Sequence, residues 1–600
     1  MRRIHRGRAH AAALSIAALL ACAATACDDG GAGGGDAPAS NPAATGTSSG
    51  PVVARACVPG QVSACDCGGS ASGIAVCDRS GQAFGACQCP AARVMTGAGV
   101  GALPTGGAGT TGGPDGQAGA AGATGSAGGA PDGPTEPVSP PGPVLARDIR
   151  IRELALFQAV KVPLARDGAA VIERNAPVVV GKEALLRIYV ETLPGFAPRE
   201  IAAVLTLSAA EAPTEPQRIV QRIDGSSREE SLDSTINFEL PAGTITADLL
   251  YSVALHEVGD TTAAGDASAP AMEGADPAAR FPEQDGALAE LGARDAGPLR
   301  VVVVPYRYTA DGSGRLPVVD DAQLQLFRDY IYAYYPITDL ELSVHDPVDY
   351  AGAVGPNTGW ETWLDDHCAL RTAEQPDPKV IYYGLMAPRT DARSYGGGVV
   401  GISYLPGPAA NFGRCSVGVG FEGAIAASTM AHELGHSLGL PHAPCGVDGG
   451  PYPYPDASIG VWGFGLSSRT LKDPEENYDL MSYCNPVFIS DYNFQKLFER
   501  VRYLNLQFRV QGAGEPAVDY LRVLQTPDGR RRVTGRLSMR GDPGGDEERR
   551  AIELLDARGA SMGAQTGWFF PSSEAGGGLW LLPDRGARAA VLGGRRLVLP

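Results

Sequence analysis

The stretch His432-Glu433-Leu434-Gly435-His436-Ser437-Leu438-Gly439-Leu440-Pro441-His442 gathers three histidines and a glutamate within eleven consecutive residues. On a helix of 3.6 residues per turn, His432 and His436 stand one above the other on a single face, so both imidazoles can reach one ion. Gly439 can take the positive φ that ends a helix, and Pro441 stops its continuation, so the chain can turn back and bring His442 to the same point. Three imidazoles are the donor set of a catalytic Zn²⁺ site, which keeps a position for water. Glu433 lies beside that position and is not itself a ligand. A carboxylate there can take the proton of a water attacking a carbonyl, so the expected chemistry is metal-assisted hydrolysis.

Downstream runs Tyr478-Asp479-Leu480-Met481-Ser482-Tyr483-Cys484. With this second motif the chain resembles the metzincin clan of zinc metalloendopeptidases, in which the long histidine motif is followed by a tight turn whose methionine lies under the metal. The resemblance implies an α+β catalytic domain with a twisted mixed sheet, an active-site helix and a C-terminal helix. It implies zinc on His432, His436 and His442, Glu433 as general base, and Gly439 and Met481 as structural residues of the site. Tyr483 matches the tyrosine that astacins and serralysins place as a removable extra ligand. Ala443, after the third histidine, matches none of the large metzincin families, so the resemblance is to the clan and not to a subfamily. Because the resemblance brings His442 and Met481 together at the metal, Cys445 and Cys484, each three residues further on, are expected to form a bridge. Cys368 and Cys415 then pair by elimination. A second reading of Cys445 rests on Ala443-Pro444-Cys445-Gly446-Val447-Asp448, which faintly resembles the cysteine switch of matrixin pro-segments, although that switch lies ahead of the catalytic domain.

Other histidines lack ligand spacing. His256-Glu257 begins like the motif, but the fourth position on is Asp260, and the alternation from Tyr251 to His256 reads as a strand with His256 facing solvent. His345 and His367 are read as structural.

The N-terminus is an export signal: a basic start, Met1 to Arg8, precedes an apolar run, Ala11 to Ala21, too short to span a membrane. Cys22 and Cys27 both end lipobox-like sequences, and small residues before Cys27 favour it as the lipidated residue of a bacterial lipoprotein. An ordinary secretory signal is the plainer reading. Residues 28–55 form a tether. Six cysteines between Cys57 and Cys89 fall among almost no large apolar side chains, so residues 56–90 are expected to be a disulfide-rich module. Residues 91–145 are a Gly/Ala/Pro-rich linker, which at this composition would reach about 40 Å.

Alternation such as Leu186, Ile188 and Val190 against Arg187, Tyr189 and Glu191 predicts a β-sandwich over 146–260. Residues 261–297 read as a linker. The metallopeptidase domain is expected over 298–510 and a small β accessory domain over 511–600. Within the former, Val399–Leu405 is expected to be an edge strand able to pair with a peptide. Forty-nine basic against 67 acidic side chains give a net charge of −18 with no basic patch beyond the start, so nucleic acid is not an expected partner. The expected partners are a protein or glycoprotein substrate and a membrane reached through a lipid anchor. A rival of another class is a surface adhesin or binding lipoprotein with a vestigial metal site. Retention of all three histidines and of Glu433 speaks against decay.

Overall fold

The computed structural model describes residues 144–209, 212–213, 215–258, 276–574 and 576–600, together with the strands Val62–Asp66 and Ser72–Val76. These two strands form an antiparallel hairpin, with Val62 opposite Val76. The export signal, Cys27, the tethers and the cysteine side chains of the 57–89 module lie outside the described residues.

The described residues from 144 onward form one compact unit of mixed α+β structure, rich in sheet and with few helices. Its first layer holds two antiparallel sheets, one built on Ile149–Phe157 and Ala184–Thr192, the other on Arg199–Ala209 and Leu250–Glu257. Leu186, Ile188 and Val190 point into the core, as the alternation predicts. The opposite face is not solvent: Arg187 and Tyr189 are fully buried under Phe464 and Leu466 of a later hairpin. Arg187 survives there because it is bonded, donating to Thr235 Oγ1 at 3.2 Å and to Glu229 O at 3.2 Å. His256 sits in its strand half-buried and bridged to Leu145, rather than facing solvent.

The stretch 276–297, expected as linker, is folded: Arg280–Phe281 and Ala289–Glu290 both pair with Leu250–Glu257, and Phe281 and Leu291 are buried. Strands of two residues carry no periodicity, so the Ala/Gly/Asp composition hid them. Nor is the sandwich an independent unit, since one apolar cluster runs from Ala146 to Phe508 and includes both sheets and the active-site helix.

The second layer is a mixed sheet. Its strands are β1 (Leu299–Tyr308), β2 (Leu340–Val344), β3 (Val348–Tyr350), β4 (Ile381–Met386), β5 (Gly401–Ser403) and β6 (Cys415–Val419). Spatial order is β2-β1-β4-β6-β5, parallel except for the antiparallel edge strand β5, with β3 also on β1. Val301, Val303 and Val304 of β1 are buried and Val302 is half-buried, so both faces of the strand are covered, as a parallel strand under helices requires. Helices α1 (Asp321–Tyr334), α2 (Trp360–Glu374), α3 (Ala424–Ser437) and α4 (Asp491–Leu506) cover it. Asp320 caps α1 and Ser490 caps α4, each side chain accepting from the third backbone N–H beyond it. The Cys368–Cys415 disulfide staples α2 to β6.

Residues 518–598 form a seven-stranded antiparallel sheet. It shares a second apolar cluster with the mixed sheet, in which Phe570 and Leu579 meet Tyr404 and Phe412. The outer edge of β5 is therefore not open along its length. Val399–Leu405 is an edge strand as expected, but Tyr404 bridges Ser572 of this sheet, so part of that edge is already taken.

Candidate metal centre

Helix α3 is buried on nearly every side, so its small residues set how closely other elements approach. Its start is fixed to α1, where the Gln323 side chain accepts from Gly423 N at 2.7 Å. Its end is a left-handed cap: Gly439 has φ 84° and Leu440 N donates to Gly435 O at 3.0 Å. A Cβ at Gly439 would stand 2.3 Å from Arg500 Nη2, so both the φ and the space require glycine.

The turn brings three ring nitrogens together. His436 Nε2 lies 3.0 Å from His432 Nε2 and 3.1 Å from His442 Nε2. His432 Nδ1 is 2.8 Å from Leu480 O and His436 Nδ1 is 2.7 Å from Leu440 O. A carbonyl only accepts, so Nδ1 carries the hydrogen in both rings and Nε2 offers a lone pair. Lone pairs aimed at one another repel unless a cation stands among them. Burial keeps the rings neutral, the form that ligates: it pushes His432 down to about 4 and His442 to about 3, and holds His436 well below the usual imidazole range. His432, His436 and His442 are the one group of three or more candidate ligands that converges among the described residues. This donor set fits zinc.

Met481 is fully buried beneath α3. Its Sδ would be 2.6 Å from a Cβ at Gly435, so the glycine inside the motif lets the methionine turn pack against the helix. Asp479, also fully buried, shapes that turn by accepting from Met481 N at 2.8 Å, Ser490 N at 2.9 Å and Asn493 Nδ2 at 2.7 Å. Three links tie the turn to the segment after His442: Ala443 N to Met481 O, Tyr483 N to Cys445 O, and the Cys445–Cys484 disulfide. Cys445 is thus oxidised and cannot act as a thiolate switch.

Glu433 is 4% exposed, and its Oε2 has no hydrogen-bond partner among the described residues. Burial pushes its carboxyl well above the ordinary range, towards the protonation balance a general acid-base needs. Gly401 of β5 lies against it, since a Cβ there would be 2.6 Å from Glu433 Oε1. Tyr483 is 45% exposed, with its ring centroid 5.0 Å from that of His442 and 5.9 Å from that of His432. Its hydroxyl donates to the Glu574 carboxylate of the C-terminal sheet.

His367 is buried and paired with Tyr306 at 3.0 Å, and His345 contacts Glu374, both away from the centre. Sequence reasoning missed Gly401, Gly435, Asp479 and Glu574. Asp479 and Gly435 lie inside the motifs and were within reach of a packing argument. Glu574 is 91 residues from Tyr483 and carries no local signal.

Residues 409–485 match the sequence profile of the peptidase M66 family. The match covers α3, all three histidines and the turn through Cys484. A stretch of 66 residues is 39% identical to dictomallein-1 of Dictyostelium discoideum, covering 10% of this chain. The chain spans 11% of the length of that curated relative. Among solved structures, metalloproteinase-II from Bacteroides fragilis overlaps 34% of this chain and 53% of its own at 14% identity and a TM-score of 0.21, too low to bear on the fold. With the converging imidazoles, the family match supports a metallopeptidase.

Proposed function

We propose that the protein is a zinc endopeptidase of metzincin type that hydrolyses peptide bonds in extracellular proteins or glycoproteins. It is exported and held at the bacterial cell envelope through an acylated Cys27. The observation that carries the catalytic part is the convergence of His432, His436 and His442, with ligand atoms within 4.8 Å of one another, next to the buried carboxylate of Glu433.

His432, His436 and His442 would hold the zinc, which when bound would polarise the scissile carbonyl and acidify water. Glu433 takes the proton of the attacking water and returns it to the leaving amine. No residue of the site needs to form a covalent intermediate. The exclusion of bulk water around Glu433 strengthens its action, because charge is less screened in a buried cleft. Tyr483 turns its hydroxyl from Glu574 towards the oxyanion as charge develops there.

The experiment is hydrolysis of a denatured protein mixture by the full chain, before and after a chelator and after addition of one equivalent of Zn²⁺. Cleavage that disappears and returns supports the reading, and cleavage indifferent to the chelator overturns it. Mass spectrometry of the membrane fraction should find a mature N-terminus at acylated Cys27. An unacylated N-terminus elsewhere removes the anchor.

A further inference from the structure

Strand β5 is the edge of the mixed sheet beside Glu433, and its free backbone groups decide how a peptide can lie in the cleft. Its register on β6 pairs Gly401 with Gly418, Ile402 with Val417 and Ser403 with Ser416, and Val419 N donates to Val400 O. Bonding alternates along an antiparallel ladder, so Ile402 faces β6 while Gly401 and Ser403 turn N–H and C=O outward.

The chain itself consumes most of that edge. Ser403 O accepts from Ser573 N at 2.8 Å, Ser403 N donates to Ser573 Oγ at 3.1 Å, and Leu405 N donates to Pro571 O at 2.9 Å. On the other side Val399 N donates to Pro356 O at 2.8 Å. Among the described residues, Gly401 alone between them has no hydrogen bond on its outward N–H and C=O. It is also the residue against Glu433.

The segment that covers Ser403 is anchored. Phe570 is fully buried with its ring 5.0 Å from Phe412, and Ser572 and Ser573 are 7% and 8% exposed. Lifting it would break this packing together with three hydrogen bonds, so it behaves as a wall and not as a lid. At its end, Ser572 Oγ donates to Glu574 O at 2.8 Å and turns the chain so that the Glu574 carboxylate meets Tyr483. No cation pairs with Glu574 among the described residues, and its acidic neighbours are Glu361 and, across the centre, Glu433.

We propose that Pro571–Glu574 is a fixed wall of the substrate cleft that restricts peptide pairing on β5 to Gly401, and that Glu574 selects peptides bearing Lys or Arg beside the scissile bond. This rests on the peptidase reading above. A carboxylate at the rim with no protein cation attracts a cationic side chain and repels Asp or Glu, and discrimination of this kind is set by charge complementarity across the contact.

The test is cleavage of a denatured proteome by the zinc-loaded full chain, read by mass spectrometry as residue frequencies around each cut. Wild type, Glu574→Gln and Glu574→Ala are compared at equal zinc content. Wild type should favour Lys and Arg over Asp and Glu by about two- to fivefold at one position adjoining the cut, the size expected of a partly exposed charge pair. Both variants should lose that preference whatever happens to their overall rate. An identical profile in all three proteins overturns the proposal while leaving the peptidase reading intact. Absence of any cleavage by wild type at full zinc content overturns both.

Discussion

His432 and His436 give their Nδ1 hydrogens to Leu480 O and Leu440 O, and this fixes rings whose Nε2 atoms would otherwise be free to rotate away. His442 completes the set from outside the helix. His442→Ala should therefore lose most bound zinc by elemental analysis, and full occupancy in that variant would remove it as a ligand. Tyr483 poses a different question, because its hydroxyl rests on Glu574. If it donates to the oxyanion during attack, Tyr483→Phe should keep zinc and lower kcat by about 10²–10³, roughly 2.7–4 kcal/mol, with little change in substrate binding. Equal kcat at equal zinc content would make it a packing residue. The three histidines and Glu433 were legible because helix period and a glycine turn bring them together within eleven residues. Glu574 was not, because nothing in a sequence marks which distant carboxylate a tyrosine will meet.

The elements that frame the centre depend on close approach. Gly435 admits Met481 to the underside of α3, and a methyl group there would start 2.6 Å from Sδ. Gly435→Ala should cost about 1–3 kcal/mol, the usual range for overpacking a core, and appear as a lowered Tm with weakened zinc retention. An unchanged Tm would show that the turn can shift without loss. Helix α3 was readable from the four-residue spacing of His432 and His436, and α4 is the C-terminal helix that the resemblance implies. Strand β5 was legible as an edge strand, but the segment that takes part of that edge, Pro571–Ser573, was not, because it comes from a sheet formed far along the chain. The short strands at 280–281 and 289–290 were invisible for another reason, being too brief to show alternation.

At the scale of the molecule, the N-terminal sheets are part of the support for the site. The loop between His442 and the methionine turn reaches back to them: Lys161 N donates to Trp462 O at 2.9 Å, and Phe464 and Leu466 pack on Phe157 and Tyr189. Asn175 Nδ2 donates to Asp491 Oδ2 at 2.8 Å, tying the same layer to the start of α4. Deletion of residues 144–297 should consequently abolish cooperative unfolding and zinc binding in the remainder, measured by circular dichroism and elemental analysis. A remainder that melts sharply and holds zinc would show the catalytic layer to be self-sufficient. Strand alternation revealed that sheets precede the catalytic layer, but alternation cannot say what covers the face that carries Arg187 and Tyr189, which a later hairpin buries.

The central claim is that this centre hydrolyses peptide bonds with Glu433 as its base, and the direct measurement is turnover of a denatured protein by Glu433→Gln against wild type at equal zinc content. Glutamine fills the same space and cannot accept the proton, so the account predicts unchanged zinc and loss of nearly all hydrolysis. Turnover equal to wild type would contradict it and move the reaction to another base.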